Sequence, residues 1–284
     1  MNVLAIDVGG SKVTLAVFED GQMILRETHV TDRDGGKEWM VDKTMAVARS
    51  WSSRLRFDRC GIGFGGPVNY ARQRVDKSTH VSGWDDFDFP AVVKSELGIP
   101  AIIDNDANVG ALGEYTFGAG AHTDPMFYMT LSTGIGGGII VNGALFRGAD
   151  SFAGEIGHIT IRPDGPQCLC GSFGCLERLC SGLWLEKDYG KTPKELLDDH
   201  RFVQKYVVDL AQGLKTCILL MNPARVVIGG GISKAGKKLF DPLKAELRKQ
   251  ITNWSEARID VVPACLADDS VLYGALALVD ELGK

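Results

Sequence analysis

The sequence predicts an α/β protein of two domains, and three observations carry that expectation. At 284 residues, 45 % hydrophobic and 24 % charged, the chain is long enough for two separate cores. Apolar strand signals alternate with amphipathic helix signals along its length. A glycine-rich turn between two apolar strands occurs twice, once at the start of the chain and once near its middle.

The first turn lies in Leu4-Ala-Ile-Asp-Val-Gly-Gly-Ser-Lys12, between strands expected at Asn2 to Ile6 and Val13 to Phe18, with a third strand from Met23 to Val30 after Gly21. Bare backbone at Gly9 and Gly10, the Ser11 hydroxyl and the Lys12 ammonium suit the oxygens of a polyphosphate, and Asp7 is placed for a metal ion. The second turn lies in Leu131-Ser-Thr-Gly-Ile-Gly-Gly-Gly-Ile-Ile140, between Met126 to Leu131 and Ile139 to Val141, and an Asn142-Gly143 hairpin signal closes it. Ser132, Thr133, Gly134, Gly136 and Gly137 can cradle phosphate there as the first turn does. A Gly-rich turn alone is often only a turn; two in one chain, one with an Asp and a Lys, point to a nucleotide.

A long helix follows from about Lys37, where Met40, Thr44, Val47, Ala48, Trp51 and Leu55 recur at helical steps. Cys60 to Phe64 reads as a buried strand ending in Gly65-Gly66-Pro67-Val68-Asn69, where backbone can approach a small ligand; Gly61, Gly63, Gly65 and Gly66 read equally as a bulge and a turn. After Trp84 to Phe89, Pro90 leads a helix. The strand Ala101 to Ile103 runs into Asp104-Asn105-Asp106-Ala107-Asn108 and a helix from Val109 to Tyr115. Those polar groups stand where open α/β sheets bind ligands, although a helix cap needs only one of them.

Gly118-Ala-Gly120 is the expected boundary between the halves. Beyond the second turn come a strand at Ile159 to Ile161, a helix from Phe202 to Met221 whose apolar face is core, and a stop at Asn222-Pro223. Then follow a strand at Val226 to Ile228, Gly229-Gly230-Gly231 leading into another helix, a last strand at Ile259 to Val262 and a last helix from Tyr273 to Leu282.

The net charge of −5, without a basic block, gives no reason to expect nucleic acid or an anionic membrane as partner. Because the first residues read as a core strand, no signal peptide is expected, and no apolar run approaches the roughly 20 residues of a membrane span. Seven cysteines, three of them clustered, fit a reducing cytoplasm better than a disulfide scaffold.

That cluster, Cys168, Cys170 and Cys175, supplies three soft ligands for tetrahedral zinc, with His158 or Cys180 as the fourth. Four protein ligands make such a metal structural, because a Lewis-acid role needs an open position. A zinc loop would fix Glu155, His158 and Glu177 in one place, where directional hydrogen bonds suit a polyhydroxylated ligand, and Asn105 and Asp106 supply the same chemistry from the other half. For a sugar hydroxyl to attack a terminal phosphate a carboxylate must take its proton, and Asp106 is the expected base; Asp104 reads as structural.

Taken together, Asp7-Val-Gly-Gly-Ser-Lys12, Asn105-Asp-Ala-Asn108, Ser132-Thr-Gly-Ile-Gly-Gly-Gly138, Gly154-Glu-Ile-Gly-His158 and the cysteine loop through Glu177 resemble the ROK (repressor, open reading frame, kinase) family of sugar kinases and repressors, over nearly the whole chain. The resemblance implies an actin-like, ribonuclease H-like fold of two α/β domains around a cleft, here with residues 1–118 and 272–284 in one and 119–271 in the other. It implies sugar contacts from Gly66, Asn105, Asp106, Glu155, His158 and Glu177, Asp106 as base, zinc on His158, Cys168, Cys170 and Cys175, and an adenosine-side turn at Gly229-Gly230-Gly231. ATP with magnesium, a homodimer and phosphorylation of the C6 hydroxyl of a hexose, glucose first, follow from the same likeness.

Two other readings stand beside this one: an N-acetylmannosamine, N-acetylglucosamine or fructose kinase, and a silent sugar sensor. Repressors of the family carry a helix-turn-helix domain before the first phosphate strand, which here starts at Asn2, so the kinase is expected. Gly65 stands where many glucokinase-like members have proline, and Gly-Gly-x-Val-Asn resembles the loop of N-acetylmannosamine kinases and some hexokinases. Residues 181–200 are short for the family, which bears on dimer contacts.

Overall fold

A computed structural model, which describes residues 1–32, 34–78, 81–251 and 260–283, shows two five-stranded sheets built to one plan. In the first, β1 (Asn2–Val8), β2 (Lys12–Glu19) and β3 (Gln22–Val30) form an antiparallel meander, reversed between β2 and β3 by Asp20 and Gly21 at φ 48° and 84°. The helix α1 (Gly36–Ser52) then leads to β4 (Arg59–Phe64), parallel to β1. A short hairpin, β5 (Val68–Asn69) and β6 (Arg74–Val75), and the helix α2 (Phe89–Leu97) lead to β7 (Ala101–Asn105), parallel to β4. Asp88 caps α2 and Pro90 sits in its first turn, as its fixed φ favours.

From β7 the chain enters α3 (Asp106–Phe117) and then repeats the plan. Strands β8 (Met126–Leu131), β9 (Ile135–Val141) and β10 (Ala144–Leu145) make the second meander. Four helices, α4 (Leu176–Cys180), α5 (Gly182–Tyr189), α6 (Pro193–Leu197) and α7 (His200–Met221), precede β11 (Arg225–Gly229), parallel to β8. After α8 (Lys237–Gln250) comes β12 (Val261–Pro263), parallel to β11, and then α9 (Ser270–Leu278). The sheets run β3-β2-β1-β4-β7 and β10-β9-β8-β11-β12.

Both faces of each sheet are covered, so the central strands are apolar without alternation. In β1, Leu4, Ile6 and Val8 face the core under α1 and α2, while Val3 and Ala5 belong to a second core. That second core holds residues of both sheets, such as Phe18, Tyr128 and Val227, together with Val109 and Ala111 of α3 and Leu272 and Ala275 of α9. A third core packs α4 to α8 on the outer face of the second sheet. The molecule is therefore layered, with α3 and α9 between the two sheets.

Glycines set how closely these layers approach. A Cβ on Gly113 would lie 2.1 Å from the Ser270 carbonyl oxygen, and one on Gly274 would lie 1.7 Å from that of Val109, so α3 and α9 cross with their backbones touching. A Cβ on Gly61 would meet the Ala275 carbonyl at 2.1 Å, and one on Gly63 the Val271 side chain at 2.3 Å. Gly61 and Gly63 are therefore bare to seat α9 on β4, and neither a bulge nor a ligand explains them. Gly274→Ala is expected to cost about 3 kcal/mol, the upper end for overpacking, because the clashing atom is backbone; a urea unfolding curve with an unchanged midpoint would refute the close crossing.

Several elements differ from their sequence expectation. β9 begins at Ile135, not Ile139, and so contains Gly136, Gly137 and Gly138. α3 begins at Asp106, three residues before the apolar pattern, because Asn105 caps it there. The expected strand Ile159 to Ile161 is a single bridge, Thr160 to Cys175, since the Ile161 and Arg162 amides both turn to the Gly174 carbonyl. Gly231 opens a 3-10 turn, Ile232–Ala235, before α8 starts. α9 starts at Ser270 and gives way to a 3-10 turn at Val279–Glu281. Phe202 and Met221 of α7 pack half-buried at the edge of the core, whereas Tyr206 is inside it. Residues 181–200 hold α5 and α6, and Ile259 of the expected last strand lies outside the described residues. Among the described residues no helix is long and apolar enough to cross a membrane.

Candidate active site

Parallel strands present their carboxyl ends on one side, and β1, β4 and β7 deliver Asp7, Gly65 and Asp106 together there. Asp106 is the first residue of α3, half-buried, with one carboxylate oxygen 3.4 Å from where a Gly65 Cβ would stand. Burial, then the negative charge of Asp7 and more weakly that of Glu155, push its pKa up to about 7, against the pull of the Ala107 amide. A carboxylate poised near neutrality beside a helix N-terminus is suited to receive a proton.

Its neighbours have separate tasks. Asn105 is the helix cap: its side-chain oxygen accepts from the Ala107 and Asn108 amides at 2.9 and 3.3 Å, and its Nδ2 donates to the Gly66 carbonyl at 3.0 Å. Capping therefore uses only the side-chain oxygen, and the second hydrogen of the amide is left over. Asp104 is wholly buried, paired with Arg147 at 2.7 Å and bonded to Asn108 Nδ2 at 3.1 Å, which makes it structural as expected. Gly65 donates its N–H to the Val8 carbonyl at 2.8 Å, a bond that a proline there could not make.

The first hairpin is closed by Gly9 N–H to the Lys12 carbonyl at 2.9 Å and braced by Thr31, whose amide reaches the Ser11 carbonyl and whose hydroxyl reaches that of Gly9. Asp7 lies buried beneath it, with its pKa pushed up to about 6 by burial while Lys12 and Arg26 draw it back. Two acids outside every motif, Asp268 and Asp269, pair with Lys234 and Arg26 close by and add their charge to this corner.

The turn of the second hairpin is Ser132-Thr133-Gly134, closed by Ser132 N–H to the Gly134 carbonyl at 3.0 Å. Gly182 and Leu183, at the start of α5, donate to the carbonyls of Ser132 and Thr133 at 2.8 and 3.1 Å. Gly136 and Gly137 lie past the turn, in β9. Their missing side chains make room for Ala107 of α3 and for the Gly154 backbone, so packing accounts for both. At the end of β11, Gly229 lies against the Tyr128 ring; beyond the strand, Gly230 at φ 86° tucks under the Leu131 carbonyl and Gly231 faces open space.

On the other side of the site the ligand atoms of His158, Cys168, Cys170 and Cys175 all lie within 4.8 Å of one another. Three thiols and an imidazole converging this closely are a donor set that tetrahedral zinc fits. Nδ1 of His158 faces the thiols, 3.9 Å from Cys168 Sγ, and Nε2 faces Glu155 at 3.9 Å. Cys180 is not part of the group; it is sealed in the outer core, where burial raises its thiol pKa far above normal. Cys175 is also the N-cap position of α4, which carries Glu177, and Glu177 accepts from the Ile135 amide of β9 at 2.9 Å. The cysteine loop is thereby tied to the second hairpin.

Sequence reasoning missed Arg147 and Glu114. Arg147 sits in an unremarkable loop, and Glu114 hides in a helix, where it accepts from the amides of Ala119, Cys265 and Leu266 and from the Ser270 hydroxyl. Neither stands in a motif; only the folded chain brings their partners to them.

The fold that carries these residues has counterparts among known proteins. The glucokinase of Thermotoga maritima is 30 % identical over 310 aligned residues, covering 99 % of this chain and 98 % of that protein. The crystal structure of a ROK family glucokinase from Streptomyces griseus, in complex with glucose and AMPPNP, superposes with a TM-score of 0.85 at 28 % identity, over 98 % of this chain and 99 % of the other. The ROK hexokinase of Thermus thermophilus gives 0.83 at 30 % identity, over 99 % and 100 %. The two like sheets are thus the halves of an actin-like ATPase fold. With a match to the family spanning residues 3–282, the chain belongs to the ROK family.

Proposed function

We propose that this ROK sugar kinase transfers the terminal phosphoryl group of ATP to the C6 hydroxyl of a hexose, and that the hexose is glucose. The observation that carries the reading is Asp106 at the head of the helix between the two sheets, beside Gly65, where burial and the negative charges of Asp7 and Glu155 push its pKa up to about 7. In this reading the sugar rests on Gly66, Asn105, Glu155, His158 and Glu177, and Asp106 receives the hydroxyl proton as the bond to phosphorus forms. Proton transfer comes late in a loose phosphoryl transition state, so positioning matters more than basicity.

The hairpins at Gly9-Gly10-Ser11-Lys12 and Ser132-Thr133-Gly134 hold the phosphates, and Gly229-Gly230-Gly231 borders the nucleoside. Magnesium supplies charge neutralisation on the phosphates, with Asp7 as the residue that would hold it. Zinc supplies no chemistry to the reaction in this reading; His158, Cys168, Cys170 and Cys175 would use it to hold the sugar side in shape. The glucokinase relatives, one solved with glucose and AMPPNP, support glucose and ATP.

A second reading, an N-acetylhexosamine kinase, rests on the loop Gly65-Gly66-Pro67-Val68-Asn69. ADP release measured across glucose, mannose, fructose, N-acetylglucosamine and N-acetylmannosamine, with ATP or polyphosphate as donor, separates the possibilities. Glucose with ATP is expected to give the highest kcat/KM. Preference for an N-acetylated sugar moves the assignment to the second reading, and no turnover with any sugar makes the chain a sensor.

A further inference from the structure

Arg147 lies between β10 and the Glu155 loop, and its side chain reaches into the other half of the molecule. Nε donates to Asp104 Oδ2 at 2.7 Å and Nη2 to Glu281 Oε2 at 2.9 Å, while the guanidinium plane sits 3.6 Å from the centre of the Tyr70 ring. The Tyr70 hydroxyl donates to the same Glu281 oxygen at 2.5 Å, and its backbone N–H donates to Ser151 Oγ at 3.2 Å. The other oxygen of Asp104 accepts from the Asn105 amide and from Asn108 Nδ2. The carbonyl of Arg147 itself accepts from Ala153 at 3.1 Å, closing its loop immediately before Gly154 and Glu155.

Each end of this chain of bonds leads to a sugar-facing group. At one end Asp104 fixes the strand-to-helix junction from which Asn105 and Asp106 project; at the other the closed loop delivers Glu155. We propose that Arg147 is a positioning residue that locks these two segments in register, so that one side chain assembles the sugar surface from both sheets. The proposal rests on the sugar-kinase reading of that surface. A lysine would keep the charge, but it cannot bond two acids in a fixed plane while stacking on an aromatic ring. Without any cation there, Asp104 is left buried and unpaired, and the junction must shift or take up a proton to relieve it.

The test compares Arg147→Lys, Arg147→Met and Glu281→Gln, the last of which loosens the outer anchor and spares the pair with Asp104. Arg147→Met is expected to raise the KM for glucose about tenfold or more, with the KM for ATP changed less than about twofold, since a misplaced contact acts only on the ligand it touches. Arg147→Lys and Glu281→Gln fall between it and the wild type, and methylguanidinium in the buffer restores part of the glucose affinity of Arg147→Met. Hydrogen exchange on the sugar-free protein should rise in residues 104–108 and 146–155 together.

A lower melting temperature with both KM values unchanged, or both raised alike, makes Arg147 merely structural and overturns the proposal. Should Arg147→Met fail to fold, the other two variants carry the same comparison. If the wild type phosphorylates no sugar, the kinase reading fails by itself, and the clasp is judged by exchange: loosening of one segment alone refutes it.

Discussion

Asp106→Asn is expected to retain sugar binding and lose about three orders of magnitude in kcat, the middle of the range for a positioned general base. The amide has the shape of the carboxyl and remains at the first position of α3, where Asn105 still provides the cap. What it lacks is the capacity to accept the hydroxyl proton. ADP release gives kcat and calorimetry gives sugar affinity; turnover near the wild-type rate would remove Asp106 from the mechanism.

The same substitution is expected to stabilise the fold at alkaline pH. In the folded protein burial, Asp7 and Glu155 hold the Asp106 pKa at about 7, above the ordinary carboxylate value of about 4 that applies once the chain unfolds. The folded state therefore binds this proton more tightly. Its stabilising contribution is complete below about pH 4 and is lost as pH rises through about 7. Above that, the wild type keeps a charge the fold disfavours, and asparagine removes it. In magnesium-free buffer, the melting temperature of the variant minus that of the wild type should grow from pH 5 to pH 8. A difference that is flat or shrinks over that range would contradict the raised pKa.

Much of this site was legible in the sequence because its chemistry is local. Asp7 to Lys12, Ser132 to Gly134 and the cysteine loop each bring their functional groups together within a few residues, so spacing alone exposes them. The glycines were legible only as glycines. Gly134 turns the chain, Gly136 and Gly137 admit α3 and the Gly154 backbone, and Gly61 and Gly63 admit α9. One dimension records a missing side chain in every case and does not record what fills the space. Arg147 was illegible for the same reason: its partners Asp104, Glu281 and Tyr70 are 43, 134 and 77 positions away along the chain, and nothing in Phe146-Arg-Gly-Ala-Asp150 hints at them. Asn105 was legible in part: its cap role is local, whereas the bond from its other side-chain end to the Gly66 carbonyl reaches the loop after β4 and left no mark in the local sequence.

Cys170→Ser tests the other side of the proposed sugar surface, and its effect should reach both substrates. The variant is expected to lose about one zinc per chain, since a hydroxyl is a poor substitute for thiolate in a tetrahedral site. The KM for sugar should then rise about tenfold to a hundredfold, the range seen when groups that orient a site are removed. Two contacts set that direction: His158 presents Nδ1 to the thiols and Nε2 to Glu155, and Cys175 leads directly into the helix that carries Glu177. With the loop unclamped, Glu177 also loosens its hold on the Ile135 amide at the second hairpin, so the KM for ATP should rise as well, by a smaller factor. That shared effect distinguishes the zinc loop from Arg147, whose loss is expected at the sugar alone. Cys180→Ser is the control, because Cys180 lies in the outer core, away from the four-ligand group, and its loss should lower stability without releasing zinc. Metal analysis with kinetics on both variants decides the matter, and full sugar affinity in the zinc-free protein would disconnect the cysteine loop from the site.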